Sequence, residues 1–137
     1  MSHVTPLHSS LPTAPAGSLA ALDRLAAALD DLPTDGEALG RWRWAVRQHL
    51  VGVRDLLAAD GEGGADGWLA ARSTTAARRR NALLARLSLL GSQVLESPDV
   101  AAVAGPLRRL VADVRHHRQR ISDLVYDEVA LELGGED

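Results

Sequence analysis

Residues 34–61 read TDGEALGRWRWAVRQHLVGVRDLLAADG, and this stretch decides the fold. Leu39, Trp42, Val46, Leu50, Val53 and Leu57 recur at three- and four-residue spacing, the period of one apolar helix face. Thr34 and Glu37 stand at the separation of a capping box, in which a hydroxyl and a carboxylate satisfy first-turn N–H groups. Gly61 closes the segment, because glycine takes at little cost the backbone conformation that ends a helix.

Upstream, Leu19, Leu22, Leu25, Leu29 and Leu32 repeat with the same period, Ser18 is placed to cap the helix and Pro33 stops it. Downstream, residues 60–67 (DGEGGADG) hold four glycines and three acids and cannot sustain a helix. A connection this short favours antiparallel neighbours. A third helix runs from about Trp68 to about Leu95 on Leu69, Ala76, Ala77, Leu83, Leu84, Leu87, Val94 and Leu95. Ser97, Pro98 and Asp99 then restart the chain as N-cap, first helical position and first-turn acid. Gly105–Pro106 breaks or kinks the short piece that follows. The final helix carries Leu107, Leu110, Val111, Val114, Ile121, Leu124 and Val125 on one face and ends at residues 134–137, GGED. The expectation is an all-α protein: an antiparallel, up-down-up-down four-helix bundle over residues 18–133. A disordered tail at 1–17 precedes it, an acidic tail at 134–137 follows it, and there is no internal repeat.

Composition agrees. Alanine, leucine and arginine form helices well, whereas strand formers are scarce: Phe is absent, Tyr126 is the single tyrosine, and Trp42, Trp44 and Trp68 are the tryptophans. The 137 residues fit one domain, large enough for a core without staples. Cysteine is absent, which excludes disulfides, zinc–thiolate sites, iron–sulfur clusters and thiol catalysis. A net charge of -3 implies no class of partner. All 15 basic residues are arginine, which suits recognition of anions by guanidinium forks but is better explained by a GC-rich bacterial genome. Residues 1–17 contain three prolines and no apolar run, so they form neither signal peptide nor anchor. No stretch approaches the roughly 20 apolar residues that span a bilayer, and the expected location is the cytoplasm.

Function in a helical bundle is built from polar side chains that face inward. At about 100° per residue, His117 lies about 60° from Val114, and His49 about 60° from Val46, each at the edge of an apolar stripe. Arg80 falls near the middle of the third helix's apolar arc and Asn81 at its margin. Antiparallel pairing brings His49, Arg80 or Asn81, and His117 to one buried polar layer. Two histidines on separate helices raise a transition-metal site, with His49 and His117 as its ligands. The carboxylates of a di-iron centre are missing: there is no Glu-x-x-His pair, and Glu128 sits about 16 Å along the helix from His117. Asp113, four residues before His117, is placed to orient its ring. The expectation is therefore no metal and no cofactor, with iron as the alternative. Glu128 and Glu132 lie on the inner arc nearer the chain's end. Residues 116–120 (HHRQR) have no recognisable nucleophile beside them, and residues 61–67 lack the GK[ST] of a phosphate loop, so no catalytic residue is assigned.

Residues 42–50 (WRWAVRQHL), 81–87 (NALLARL) and 117–120 (HRQR), with 123–126 (DLVY) downstream, resemble small bacterial hemerythrin-like (HHE-type) bundles. The likeness covers roughly residues 38–133, in helix order, helix length and histidine placement. The chain also looks like small actinobacterial proteins that end in a His-Arg-Gln-Arg helix and a Gly-Gly-acid tail. The resemblance implies a four-helix bundle and, in members that keep their ligands, a di-iron centre that handles oxygen or senses redox state. Only His49 and His117 match ligand-like positions; Asn81 stands where that pattern carries a histidine, and the partner glutamates are missing. The ligand set is degenerate, and fold does not carry function with it.

Charge is unevenly laid out. Arg108, Arg109, Arg115, Arg118 and Arg120 precede Ile121, whereas Asp123, Asp127, Glu128, Glu132, Glu136 and Asp137 follow it without a base. Pairing adds Arg78 to Arg80, Arg43 and Arg47 to an arginine-rich middle, and residues 60–66 to an acidic end. Surface ion pairs explain much of this and contribute little stability. A nucleic-acid partner is disfavoured by the negative charge and by the lack of stacking aromatics near the arginines. Trp44 lies about 160° from Val46, on the outside of its helix, beside Arg43 and Arg47. Tryptophan and arginine are enriched where interfaces carry their binding energy. The expected function is protein–protein contact, with another protein or as a homo-oligomer, and the alternative is a residual metal-binding or redox-sensing bundle.

Overall fold

Asp35 opens the second helix. Its Oδ1 accepts the N–H of Ala38 at 2.7 Å, and its carbonyl accepts that of Leu39 at 2.9 Å. This is an N-cap bond made one residue after the threonine that the capping box points to. Glu37 turns forward instead of back and pairs with Arg41 at 3.2 Å. The computed structural model describes the backbone of residues 16–60 and 70–134, and the side chains of residues 18–59 and 74–123. Its helices are α1 (Ala16–Asp30), α2 (Gly36–Asp60), α3 (Ala70–Glu96) and α4 (Val100–Gly134), with no strand among the described residues. The protein is an all-α four-helix bundle.

Asp99 does for α4 what Asp35 does for α2. Its Oδ1 accepts the N–H groups of Ala101 at 3.1 Å and Ala102 at 3.4 Å, so the cap is Asp99 and not Ser97. The Ser97 hydroxyl instead accepts the Asp99 N–H at 3.3 Å and braces the turn. In both cases a carboxylate displaces a nearby hydroxyl, because an anion also meets the positive end of the helix dipole. Ser18 is no cap either. It lies inside α1 and is buried, in phase with Leu22, Leu25 and Leu29, whereas Leu19 is out of phase and 49% exposed. Gly105–Pro106 does not divide the last helix: Pro106 stands inside a continuous α4. The carbonyl that Pro106 cannot serve is that of Ala102, an exposed residue whose backbone water can satisfy. Val103 and Ala104 thus join the same buried stripe as Leu107, Leu110, Val111 and Val114.

The core takes side chains from every helix: Leu25 and Leu29, Val46, Val53, Leu56 and Leu57, Leu87 and Val94, then Leu107, Leu110 and Val114. On α3 the buried arc runs through Ala76, Leu83, Leu87, Leu90 and Val94, while Leu95 is 50% exposed. Counting Leu84 and Leu95 as core and omitting Leu90 rotates the arc away from its true centre near Leu83 and Val94.

Side chains that cross between helices set their direction. Arg43 Nη2 donates to the Ser97 carbonyl at 2.6 Å and Arg47 Nη1 to that of Gly91 at 3.3 Å, so numbers rise along α2 as they fall along α3. Arg108 reaches the Leu29 carbonyl at 2.6 Å and Arg115 reaches Asp23 at 3.0 Å, the same opposed sense between α4 and α1. Several of these bonds complete helix ends. The last carbonyls of a helix have no partner within it and carry partial negative charge. Neither α1 nor α3 has a basic residue in its last turn. Arg108 and Arg43 supply that cation from other helices, and Trp42 Nε1 adds a bond to the Ala28 carbonyl at 2.9 Å.

The proposed tail at 1–17 lies outside the described residues as far as residue 15, while Ala16 and Gly17 begin α1. Gly61 and the remainder of the 60–67 connection, Trp68, Leu69 and residues 135–137 also lie outside them, as do the side chains of Leu124, Val125, Glu128 and Glu132.

Candidate interaction face on the second and third helices

The expected polar layer is only partly assembled. His117 is buried at 2% exposure, on the side of α4 that carries Asp113, and Asp113 bonds Arg86 of α3 at 2.7 Å. His49 is half-buried on the other side of its helix, beside Arg24 of α1. Burial first, and then the Arg24 guanidinium, hold the His49 imidazole below the ordinary value of 6.5. The two histidines therefore turn toward different neighbours, and Asp113 serves an ion pair. Arg80 is half-buried, but Asn81 is exposed and does not belong to the layer, because the true arc of α3 leaves it on the outer side. Arg79, next in the basic run, has its Nη1 buried without a hydrogen-bond partner among the described residues. Among the described residues no three His, Cys, Asp or Glu side chains are grouped so that they could hold a metal ion.

The outer face of α2 is more distinctive. Trp44 is 68% exposed, and Val51, two turns on, is 48% exposed. Arg43 and Arg47 flank Trp44 but are turned to α3, where they hold helix-end and backbone carbonyls. Of the expected triad, Trp44 stands free on the surface while the two arginines form the seam beside it.

That seam is a shallow groove of about 200 Å³, lined from α2 by Arg47, Val51 and Arg54 and from α3 by Ser88, Gly91 and Ser92. Gly91 lets the helices approach: a Cβ there would stand 3.9 Å from Leu50 Cδ1, in ordinary contact. One turn beyond Gly91, the half-exposed Leu95 extends the apolar strip on the α3 side. The charged residues lining the groove are both arginines. Arg54 makes no hydrogen bond or ion pair among the described residues, in contrast to Arg86, Arg115 and Arg41, which all pair with acids.

Sequence reasoning found Trp44, Arg43 and Arg47 and missed Val51, Arg54, Ser88, Ser92 and Leu95. The signal for two of them was present: Val51 and Arg54 follow Trp44 and Arg47 by seven residues, which returns to nearly the same helix face. The α3 contribution depends on which side of α3 faces α2, and that the pattern misplaced. Among the described residues no helix is long and apolar enough to cross a membrane. Compared with models of protein families, with curated proteins and with solved structures, the chain matches none.

Proposed function

We propose that the chain is a non-enzymatic helical bundle that works by protein–protein contact, through the face formed by α2 and α3. The observation that carries this is Trp44, more than two-thirds exposed on a helix whose other described tryptophan, Trp42, is buried in the core. An exposed tryptophan gains nothing for the fold, and tryptophan with arginine nearby is the composition of interface hot spots. Val51 and Leu95 widen the apolar patch, and Arg47 and Arg54 supply a polar rim.

The test is a photo-cross-linking residue placed at Trp44 in cells, with a control at Ala112, which is exposed on α4. The expected result is a discrete adduct heavier than one chain from position 44 and none from position 112. No adduct from either position, or equal adducts from both, would remove the interface role.

A further inference from the structure

The groove between α2 and α3 is basic, and the chain itself carries a helix of the complementary kind. We infer that the occupant of the groove is the acidic end of α4 from a second copy of this chain. The inference rests on the contact function proposed above and names its partner.

Charge complementarity is the first support. Arg47 and Arg54 stand about 10 Å apart along α2, and no acid lines the groove between them. Residues 123–137 hold six acids and no base, and α4 is helical as far as Gly134. A segment already helical binds without the ordering cost of a disordered one. Val125, Glu128, Val129 and Glu132 recur at three- and four-residue spacing, so the sequence alternates apolar and acidic positions at the period of one helix face. The exposed Trp44, Val51 and Leu95 offer apolar surface beside arginines, which is the matching pattern.

Helix register is the second support. The bonds from Arg108 to Leu29 and from Arg115 to Asp23 place the first residue of α1 beside about residue 122 of α4. From there α4 runs on for about 12 residues, or about 18 Å, past the start of α1. Those residues are the acidic ones. The α2/α3 groove and the end of α4 are different surfaces, so every copy carries both halves of the contact.

The full chain is tested by sedimentation over a wide concentration range, at low and at raised salt. The wild type is expected to associate, and less so in salt, which screens exposed charges. Arg47→Glu with Arg54→Glu should weaken association by about tenfold or more, as should Glu128→Arg with Glu132→Arg. Combining all four reversals should restore it. Circular dichroism of each variant keeps loss of folding apart from loss of contact. Because the chain has no cysteine, disulfide trapping adds an independent readout. Val51→Cys mixed with Val129→Cys should form a mixed disulfide, and Val51→Cys mixed with Ala112→Cys should not. A wild type that stays monomeric, association indifferent to both double reversals, failure of the combined variant, or no selective disulfide would each overturn the inference. If position 44 still cross-links to another protein, the contact function stands and only the named partner falls.

Discussion

Trp42 and Trp44 are two residues apart on one helix, and truncating each to alanine should have opposite consequences. Trp42 is 8% exposed and its Nε1 donates to the Ala28 carbonyl at 2.9 Å; Trp44 is 68% exposed. An aromatic side chain buries about 150–250 Å², which at about 25 cal/mol/Å² sets an upper bound near 4–6 kcal/mol for Trp42. Truncations of buried aromatics cost about 3–5 kcal/mol, and Trp42→Ala should fall in that range. The lost hydrogen bond accounts for about 1 kcal/mol of it. It is no more than that because the Asp31 N–H also reaches the Ala28 carbonyl, at 3.4 Å, so the acceptor is not orphaned. Trp44→Ala should change monomer stability by no more than about 0.5 kcal/mol. In urea melts, with a slope of about 1.5 kcal/mol per molar, Trp42→Ala should lower the midpoint by about 2 M or more and Trp44→Ala by less than about 0.4 M. Equal losses, or a larger loss at Trp44, would refute the assignment of one tryptophan to the core and the other to the surface.

Two further outcomes follow from local chemistry. Asp35→Ala and Asp99→Ala should each cost about 1 kcal/mol in thermal or urea melts, whereas Thr34→Ala should stay within about 0.5 kcal/mol; the reverse order at 34 and 35 would return the cap to threonine. His49 has a folded-state pKa below 6.5, so the unfolded chain takes up this proton more readily than the folded one. Its contribution to stability is present above about pH 6.5 and is lost as pH falls through the lower folded value. His49→Gln should flatten stability in that window, and Arg24→Gln should raise the midpoint of a His49 NMR titration; a wild-type midpoint at or above 6.5 would count against both.

The chain's pattern by itself determined the number and order of helices and most of the core. Leu22, Leu25, Leu29, Val46, Leu50, Val53, Leu57, Leu87, Val94, Leu107, Leu110 and Val114 are legible because a helix turns by a fixed angle per residue, so spacing alone reports a shared face. The outward direction of Trp44 was legible for the same reason. Boundaries were less so. Caps at Thr34 and Ser97 and at Asp35 and Asp99 satisfy nearly the same pattern, and a difference of one or two residues is decided by which oxygen reaches the free N–H groups. Only the tertiary structure decided what depends on two helices at once. Arg43, Arg47 and Arg108 read as surface charge in sequence, yet each holds a backbone carbonyl on another helix, Arg43 and Arg108 at or next to its end. Asn81 leaves the polar layer and Leu95 leaves the core because the rotation of α3 is set by Leu83, Leu87, Leu90 and Val94 packing against the rest of the bundle. A groove lined by Arg47 and Arg54 with Ser88 and Ser92 exists only once that rotation and the register of α2 against α3 are set. Periodicity within one helix carries no information about its phase relative to the next; packing supplies it.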